Sequence, residues 1–242
     1  MSSFNCKTNY KAHRLSIISD FISLFFPRCC LGCAEALVKG EDILCTHCLA
    51  ELPKTNYHLQ ATNPIEDRLF GRIKLKHAWA FLKFRKSGIV QHLLHQLKYN
   101  NHPEVGVRIG MLFGRELRKQ GLENEFDLIV PVPLHNSRKR KRGYNQSAKF
   151  AEGLSNSLGI PWDESISVRK KRTSTQTRKS KLDRWENVKD VFGVDVAEKV
   201  FNKRILLVDD VITTGATLEA CGIHLLKNNC SELSIACMAE AQ

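Results

Sequence analysis

The chain has 242 residues, of which 43% are hydrophobic and 26% charged, and this balance predicts one substantial globular domain with a small appendage. The formal net charge of +12 favours polyanionic partners, either nucleic acid or phosphorylated substrates, or serves solubility alone. No run reaches the roughly 20 apolar residues that span a bilayer, which argues against a transmembrane segment. Nine cysteines, four of them in two Cys-x-x-Cys pairs, favour thiolate metal ligands in a reducing compartment over a disulfide framework, and so predict a cytoplasmic protein.

The N-terminal residues predict a tail and then a helix. Residues 1–14 are polar and predict a disordered tail. The apolar run from Leu15 to Phe26 has the spacing of one face of an amphipathic helix. Basic residues before this run give it a faint likeness to a signal peptide, but Asp20 interrupts it and Pro27 begins a poor cleavage site. The helix is expected to pack on the rest of the protein or to lie on a membrane surface.

Residues 15–55 are expected to combine this helix with a small metal-binding module. Its candidate ligands form two Cys-x-x-Cys knuckles and are Cys30, Cys33, Cys45 and Cys48. Four thiolates at this spacing can surround one Zn²⁺ tetrahedrally with no open position, which indicates a structural zinc ribbon. Redox dithiols and plain buried cysteines are the alternatives, and Cys29 and His47 lie close enough in sequence to replace a ligand.

After a polar connector at roughly residues 54–73, the chain alternates between strands and helices. Strands are predicted at residues 77–84, 127–130, 204–208 and 233–238, and helices at 89–97, 104–119, 146–158 and 216–226. This alternation indicates an α/β domain over residues 75–242, with a mostly parallel sheet and helices on both faces.

The segment from Arg204 to Thr217 carries the most specific functional signal. A strand leads into Asp209 and Asp210, and hydroxyl side chains and a glycine follow before a helix begins. Ligands of open α/β sheets lie beyond the carboxyl ends of the strands, and a helix N-terminus suits phosphate. The candidate phosphate-binding residues are Thr213, Thr214, Gly215, Ala216 and Thr217. The two aspartates are the candidate catalytic residues, since they can accept hydrogen bonds from ribose hydroxyls and stabilise an oxocarbenium-like centre. A plain strand, turn and helix cap is the alternative.

Two strongly basic segments accompany this loop. Residues 138–142 are all basic and predict a loop that clamps pyrophosphate or a nucleic-acid backbone, or that is only solvated. The candidate residues in and after this loop are Arg140, Arg142, Asn145 and Gln146, of which the last two either order the loop or contact the ligand. Residues 169–190 predict a mobile cationic lid, or a basic loop without a ligand. The candidate residues in this second segment are Arg172, Gln176 and Arg184.

Together these motifs resemble the Rossmann-like type I phosphoribosyltransferase fold, and most closely the ComF/GntX family, which joins such a domain to an N-terminal zinc ribbon. The resemblance implies that the aspartates contact the ribose hydroxyls of 5-phosphoribosyl-1-pyrophosphate (PRPP) and that residues 213–217 hold its 5-phosphate. It also implies Mg²⁺ bound with PRPP and a structural Zn²⁺. Two positions depart from the family pattern: Ala34 replaces a usual glycine, and Lys179 a frequent leucine. Lys98-Tyr99 also resembles a family feature, although a solvated lysine is the simpler interpretation.

ComF-type members are associated with DNA uptake in natural transformation, which implies single-stranded DNA and competence DNA-uptake proteins as partners. Few aromatic residues interleave the basic runs, with Tyr144 and Trp185 the nearest, so phosphate contacts would dominate any DNA binding. The resemblance thus implies a PRPP-binding protein that acts in DNA uptake. The alternative is an active phosphoribosyltransferase on an unidentified base or amine, without a DNA role. No residue identifies an acceptor pocket.

Overall fold

The core of the protein is a four-stranded parallel sheet. In the computed structural model, which describes residues 28–169 and 192–241, the strands are β1 Ala78–Phe84, β2 Leu128–Pro131, β3 Ser167–Arg169, β4 Phe192–Val194, β5 Arg204–Ile212 and β6 Glu232–Ala241. The parallel sheet has the order β1-β6-β5-β2. Strands β3 and β4 form a separate antiparallel ribbon.

The helices lie between these strands in the alternation that the sequence predicts. Within the described ranges they are α1 Thr46–Ala50, α2 Pro64–Leu69, α3 Ile89–Tyr99, α4 Glu104–Lys119, α5 Asn136–Arg142, α6 Gln146–Leu158 and α7 Ala216–Lys227. No helix in the part of the chain that the structure describes is both long and apolar enough to cross a membrane.

Both faces of the sheet are covered. All residues of β6 except the two terminal ones are buried. Helix α4 packs against α6, which contacts β2 and β5, while α7 packs against β5, β6 and the ribbon. The crossing of α4 and α6 requires glycine, because a Cβ atom at Gly110 would meet the carbonyl of Phe150, and one at Gly153 the carbonyl of Val107. The expected mostly parallel sheet with helices on both faces is confirmed.

The second basic segment falls between the two strands of the ribbon. Residues 170–191, which contain the candidates Arg172, Gln176 and Arg184, lie outside the described residues, as do the predicted tail and helix before residue 28. The ribbon itself is described: Arg169 pairs with Phe192, and the Arg169 guanidinium lies 5.3 Å from the centre of the Phe192 ring. The residues on either side of the segment, Arg169 and Phe192, are therefore held next to each other by the pairing of β3 with β4.

The prediction of a loop at residues 138–142 is wrong, because these residues form most of helix α5. His135 caps the helix by accepting the N–H of Ser137, and Gly143, with φ +79°, ends it in the left-handed conformation. Lysines and arginines in the last turn also interact favourably with the helix dipole. The basic side chains are therefore presented on a helix.

Strand β5 is longer than predicted, and the connector is more ordered than predicted. Pairing with β6 continues to Ile212, so that Asp209 and Asp210 lie within the strand. In the connector, Lys54 bridges to Leu82 at the edge of β1, and α2 contributes the buried side chains of Ile65 and Leu69. The connector contributes to the core and packs beside the end of β5.

Candidate functional site

The four predicted ligand cysteines come together in the N-terminal module. The sulfur atoms of Cys30, Cys33, Cys45 and Cys48 all lie within 4.8 Å of one another, and those of Cys33 and Cys45 are 3.7 Å apart. In a tetrahedral site with metal–sulfur bonds of about 2.3 Å, neighbouring sulfurs lie about 3.8 Å apart. The group therefore fits a four-coordinate metal ion such as zinc. Among residues 28–169 and 192–241 this is the group that could hold a metal ion, and it contains neither Cys29 nor His47.

Backbone N–H groups point at the sulfurs of this cluster. The Cys30 sulfur accepts from the N–H groups of Gly32 at 3.4 Å and Cys45 at 3.3 Å, and the Cys45 sulfur accepts from that of Cys48 at 3.3 Å. Burial alone would raise the pKa of the Cys30 thiol, but these backbone hydrogen bonds outweigh it and lower the pKa to about 7. These contacts stabilise the thiolate of Cys30, the form that binds metal, whereas burial and then the neighbouring sulfurs raise the pKa of Cys48.

The predicted aspartate pair lies near the carboxyl end of β5. One Asp209 oxygen accepts hydrogen bonds from the Ser147 hydroxyl and the Asp210 N–H, both at 2.8 Å. The other member, Asp210, forms a 2.8 Å ion pair with Lys98 at the end of α3. Burial, and then the neighbouring carboxylate of Asp210, raise the pKa of Asp209 to about 7. Asp209 is therefore ready to ionise when a ligand or cation compensates its charge.

Lys98 and Ser147 belong to the site although sequence reasoning gave them no role. Lys98 is only 21% exposed and pairs with Asp210, so the interpretation as a solvated lysine is wrong. Ser147 lies in the first turn of α6, directly after the predicted Asn145 and Gln146. The resemblance of Lys98-Tyr99 to a family feature was a usable signal for Lys98, whereas nothing in the sequence singled out Ser147.

The candidate phosphate loop connects β5 to α7. Thr213, Thr214, Ala216 and Thr217 are exposed, while Gly215 is buried. Gly215 has φ +78°, and a Cβ atom there would lie 2.7 Å from a methyl carbon of Leu69. Glycine is therefore required both for the backbone conformation and for the close packing of α2 beneath the loop.

Two arginines from the connector hold the peptide groups of this loop. Arg72 donates to the carbonyl of Thr214 at 2.8 Å, and Arg68 donates to that of Thr213 at 2.5 Å. Because a trans peptide is planar, its N–H points opposite to its C=O. The N–H groups of Thr214 and Gly215 therefore point away from the two guanidinium groups.

Each arginine is itself fixed by a buried carboxylate. Arg72 donates through Nε and Nη2 to one oxygen of Glu219 on α7, whose side chain is 6% exposed. Arg68 donates to Glu240 at 2.6 Å, and Glu240, with a side chain 2% exposed, also accepts from the Tyr57 hydroxyl at 2.8 Å. Burial, and then Glu240, raise the pKa of Tyr57 to about 12. We call Arg68, Arg72, Glu219 and Glu240 the arginine brace.

The first basic segment divides into two groups of residues. Asn145 and Gln146 are buried: Asn145 donates to the carbonyl of Val132 at 2.9 Å and caps α6 by accepting from the N–H of Ser147. These contacts fit the expectation that the two residues order the segment. Arg140 and Arg142 instead line a cavity of about 500 Å³ together with Lys98.

Comparison with known families matches residues 95–242 to the Phosphoribosyl transferase domain. The chain is 29% identical to Competence protein F of Haemophilus influenzae over 231 residues, which cover 90% of this chain and 99% of that protein. It is 33% identical to DNA utilization protein YhgH of Salmonella typhimurium over 150 residues, which cover 60% of this chain but only 65% of that protein. It is 23% identical to Competence protein ComFC of Bacillus subtilis over 211 residues, or 79% of this chain and 81% of that protein.

Solved structures with a similar fold include the glutamine PRPP amidotransferase from B. subtilis, with a TM-score of 0.42 and 20% identity over 60% of this chain and 30% of that one. Another is the adenine phosphoribosyltransferase of Leishmania tarentolae, with a TM-score of 0.37 and 13% identity over 75% of this chain and 89% of that one.

A parallel sheet with an Asp-Asp pair near the end of one strand and a Thr-Thr-Gly loop before the next helix defines a protein of the phosphoribosyltransferase type. The chain belongs to the Phosphoribosyl transferase domain family and, within it, to the ComF-type proteins. The resemblance that the sequence motifs indicated is thereby confirmed.

The arginine brace makes a prediction about stability. Arg72→Met leaves Glu219 as an unpaired buried charge and should lower the free energy of unfolding by about 3 kcal/mol. The double variant Arg72→Met/Glu219→Gln removes that charge and should regain more than half of the loss. Urea unfolding followed by circular dichroism measures both values. Arg85→Met, at an exposed arginine, should change stability by less than about 0.5 kcal/mol. A double variant as unstable as Arg72→Met would contradict the charge-pair explanation.

Proposed function

We propose that this protein binds PRPP or a related phosphoribosyl ligand, together with Mg²⁺, at Asp209, Asp210 and residues Thr213–Thr217, and that it acts in DNA uptake. The observation that carries the proposal is the arginine brace, which holds the carbonyls of two loop peptides directly after a pair of carboxylates, so that the N–H groups of those peptides face away from the arginines. This arrangement presents donors for a phosphate beside acceptors for sugar hydroxyls.

The loop suits the 5-phosphate of the ligand. Outward N–H groups, exposed threonine hydroxyls and the N-terminus of the twelve-residue helix α7 all stabilise a bound anion. The guanidinium groups of Arg68 and Arg72 lie on the other side of the same peptides, and because Glu240 and Glu219 neutralise them, their role is to orient the peptides. The donors that hydrogen-bond the phosphate would therefore come from the backbone and from Thr213, Thr214 and Thr217.

The aspartate pair suits the ribose. Each carboxylate can accept two hydroxyl groups, and Lys98 offers a positive charge next to Asp210. Because the pKa of Asp209 is raised to about 7, its accepting form is more populated at pH 8 than at pH 6. Ligand binding should therefore be measured at pH 8, where more of this carboxylate is ionised than at pH 6.

The pair also suits a hard cation that arrives with the ligand. Carboxylate oxygens are preferred ligands of Mg²⁺, which usually completes its coordination with phosphates and water. Among the described residues, no third carboxylate, cysteine or histidine joins Asp209 and Asp210 in a metal-binding group. Mg²⁺ is therefore expected to bind between the pair and the ligand rather than in a site built from protein alone.

The basic residues are proposed to take the pyrophosphate end of the ligand or a nucleic-acid backbone. Arg140 and Arg142 line a cationic cavity that shares Lys98 with the aspartate pair. Arg172, Gln176 and Arg184 remain proposed on the resemblance of their segment to the family pattern.

The role in DNA uptake rests on the relatives and on charge. A protein named for competence matches 90% of this chain, and another relative is named for DNA utilization. The net charge of +12 supports binding to a polyanion such as single-stranded DNA, with competence DNA-uptake proteins as further proposed partners.

We also propose that the cysteine cluster holds one structural Zn²⁺. Four thiolates leave no coordination position open for catalysis, and the ion would stabilise a module with little core of its own. Thiolate ligands need a reducing compartment, which supports a cytoplasmic location. The module contacts the phosphoribosyltransferase-type domain through His92 on α3, whose Nδ1 lies 3.2 Å from the carbonyl oxygen of Gly32.

Zinc content tests this assignment. The purified protein should contain about one zinc ion per chain by elemental analysis, and Cys48→Ser should lose it and unfold at a lower temperature, because metal binding contributes directly to folding. The matched control is Cys29→Ser, at an exposed cysteine next to the cluster, which should keep the metal. Zinc lost from Cys29→Ser, or retained by Cys48→Ser, would contradict the ligand set.

Calorimetric titration with PRPP tests the proposed ligand. At pH 8 with Mg²⁺, the wild type should bind one PRPP per chain. Asp209→Asn/Asp210→Asn should weaken binding at least tenfold, because a hydrogen bond to a charged group contributes about 1.5–3 kcal/mol and 1.4 kcal/mol corresponds to tenfold. Asp42→Asn, at an exposed carboxylate of the zinc module, is the control and should bind as the wild type does.

Absence of heat from the wild type, or equal affinity in the double variant, would contradict the ligand assignment. The alternative function, an active phosphoribosyltransferase, is tested with the same preparation. Steady release of pyrophosphate from Mg²⁺-PRPP in the presence of one base or amine would identify an enzyme, whereas binding without release across the panel would identify a ligand-binding protein.

A further inference from the structure

A cationic cavity of about 500 Å³ lies between the end of α3 and helix α5. Its volume is within the roughly 300–1,000 Å³ of small-molecule sites. The residues that define its chemistry are Lys98, Tyr99, Arg138, Arg140, Lys141 and Arg142. The cavity adjoins the aspartate pair, since Lys98 lines the cavity and also pairs with Asp210. No residue of the candidate phosphate loop lines it.

Of the cations that line this cavity, Lys98 is paired with Asp210, but the four on helix α5 have no carboxylate partner among the described residues. Across residues 28–169 and 192–241, Arg138, Arg140, Lys141 and Arg142 make no ion pair, whereas Lys139 on the same helix is paired with Glu164 at 3.0 Å. A concave surface that collects unpaired cations creates a positive potential that attracts an anion. The cavity is therefore suited to phosphate groups.

An exposed aromatic ring lies beside these cations. Tyr99 is 63% exposed although it lies in this cavity, and the Arg142 guanidinium lies 5.4 Å from the centre of its ring. Tyr144, which follows α5, ties the segment to α3 by donating to the carbonyl of Leu97. The fold thus brings an exposed ring next to the basic helix, although the two are remote in sequence and the basic runs themselves hold few aromatics.

We propose that this cavity binds one nucleotide of a single-stranded nucleic acid, with its base stacked on Tyr99 and its phosphates between Arg138, Arg140 and Lys141. Stacking on an exposed ring needs no particular base, because every base has a π-face, and basic side chains around it follow the backbone. Arg142 adds a cation–π contact that holds the ring in place. This inference rests on the DNA-binding part of the proposed function and adds a stacking platform to it.

The test is fluorescence anisotropy with a labelled oligothymidylate over a range of salt concentrations. Tyr99→Ala should weaken binding by about 5- to 150-fold, which corresponds to the roughly 1–3 kcal/mol of one stacked base. The slope of log affinity against log salt should not change, because no phosphate contact is lost. Arg140→Ala should instead reduce that slope by about 1. Tyr99→Phe keeps the ring and should bind as the wild type does.

Two controls separate stacking from other effects. Phe201→Ala removes a similarly exposed aromatic ring, at 62% exposure, that does not line the cavity, and should leave binding unchanged. An abasic oligomer has phosphates but no bases, so the wild type and Tyr99→Ala should bind it equally. Because Tyr99 is exposed, its replacement should leave the unfolding temperature unchanged.

The outcomes are distinguishable. Wild-type affinity in Tyr99→Ala, or equal weakening by Tyr99→Phe, overturns the stacking proposal while leaving DNA binding intact. Lack of oligothymidylate binding by the wild type overturns both this proposal and the DNA role, and the PRPP titration then decides the ligand assignment on its own. Weaker oligothymidylate binding by Tyr99→Ala but not by Tyr99→Phe, with an unchanged slope of log affinity against log salt, supports stacking on Tyr99.

Discussion

The shape of the candidate phosphate loop depends on charge pairing beneath it. Glu219 and Glu240 are buried carboxylates, and each would be strongly destabilising without a partner. Arg72 and Arg68 neutralise them and, with their remaining N–H groups, hold the carbonyls of Thr214 and Thr213. The same contacts that stabilise the core therefore decide which way the loop peptides point. The conformation of the loop and the stability of the fold depend on one set of hydrogen bonds.

The rest of the site is positioned by contacts between elements that are distant in sequence. Lys98 pairs with Asp210 from the end of α3, and that helix contacts the cysteine module through His92 and the Tyr144 hydroxyl through the carbonyl of Leu97. Residues 53–55 pair with β1, which lies beside β6, the partner of β5. The N-terminal module and the connector are thus linked by continuous packing to the strand that carries the aspartates.

Most of the local signals in the sequence were informative. Hydrophobic periodicity predicted α4 and α6 at their observed bounds, and the cysteine spacing predicted a cluster that the structure forms. The contacts that complete the site are not local. Arg72 reaches Glu219 across 147 positions and Arg68 reaches Glu240 across 172, and no spacing rule connects such residues. For the same reason Tyr99 was not expected beside the basic segment. The loop prediction at residues 138–142 failed differently, because the charge of the run was considered without the capping residues His135 and Gly143 that flank it.

The proposed phosphate site depends on the N–H groups of Thr214 and Gly215, which point away from Arg68 and Arg72. A crystal structure of the protein with PRPP and Mg²⁺ would test directly whether these N–H groups bind phosphate. The expected result is 5-phosphate oxygens about 2.7–3.2 Å from those nitrogens, with Arg68 and Arg72 still bonded to the loop carbonyls on the opposite side. A phosphoribosyl ligand bound elsewhere while the loop keeps its present conformation, or a loop whose peptides turn so that the arginines contact the phosphate directly, would contradict this account.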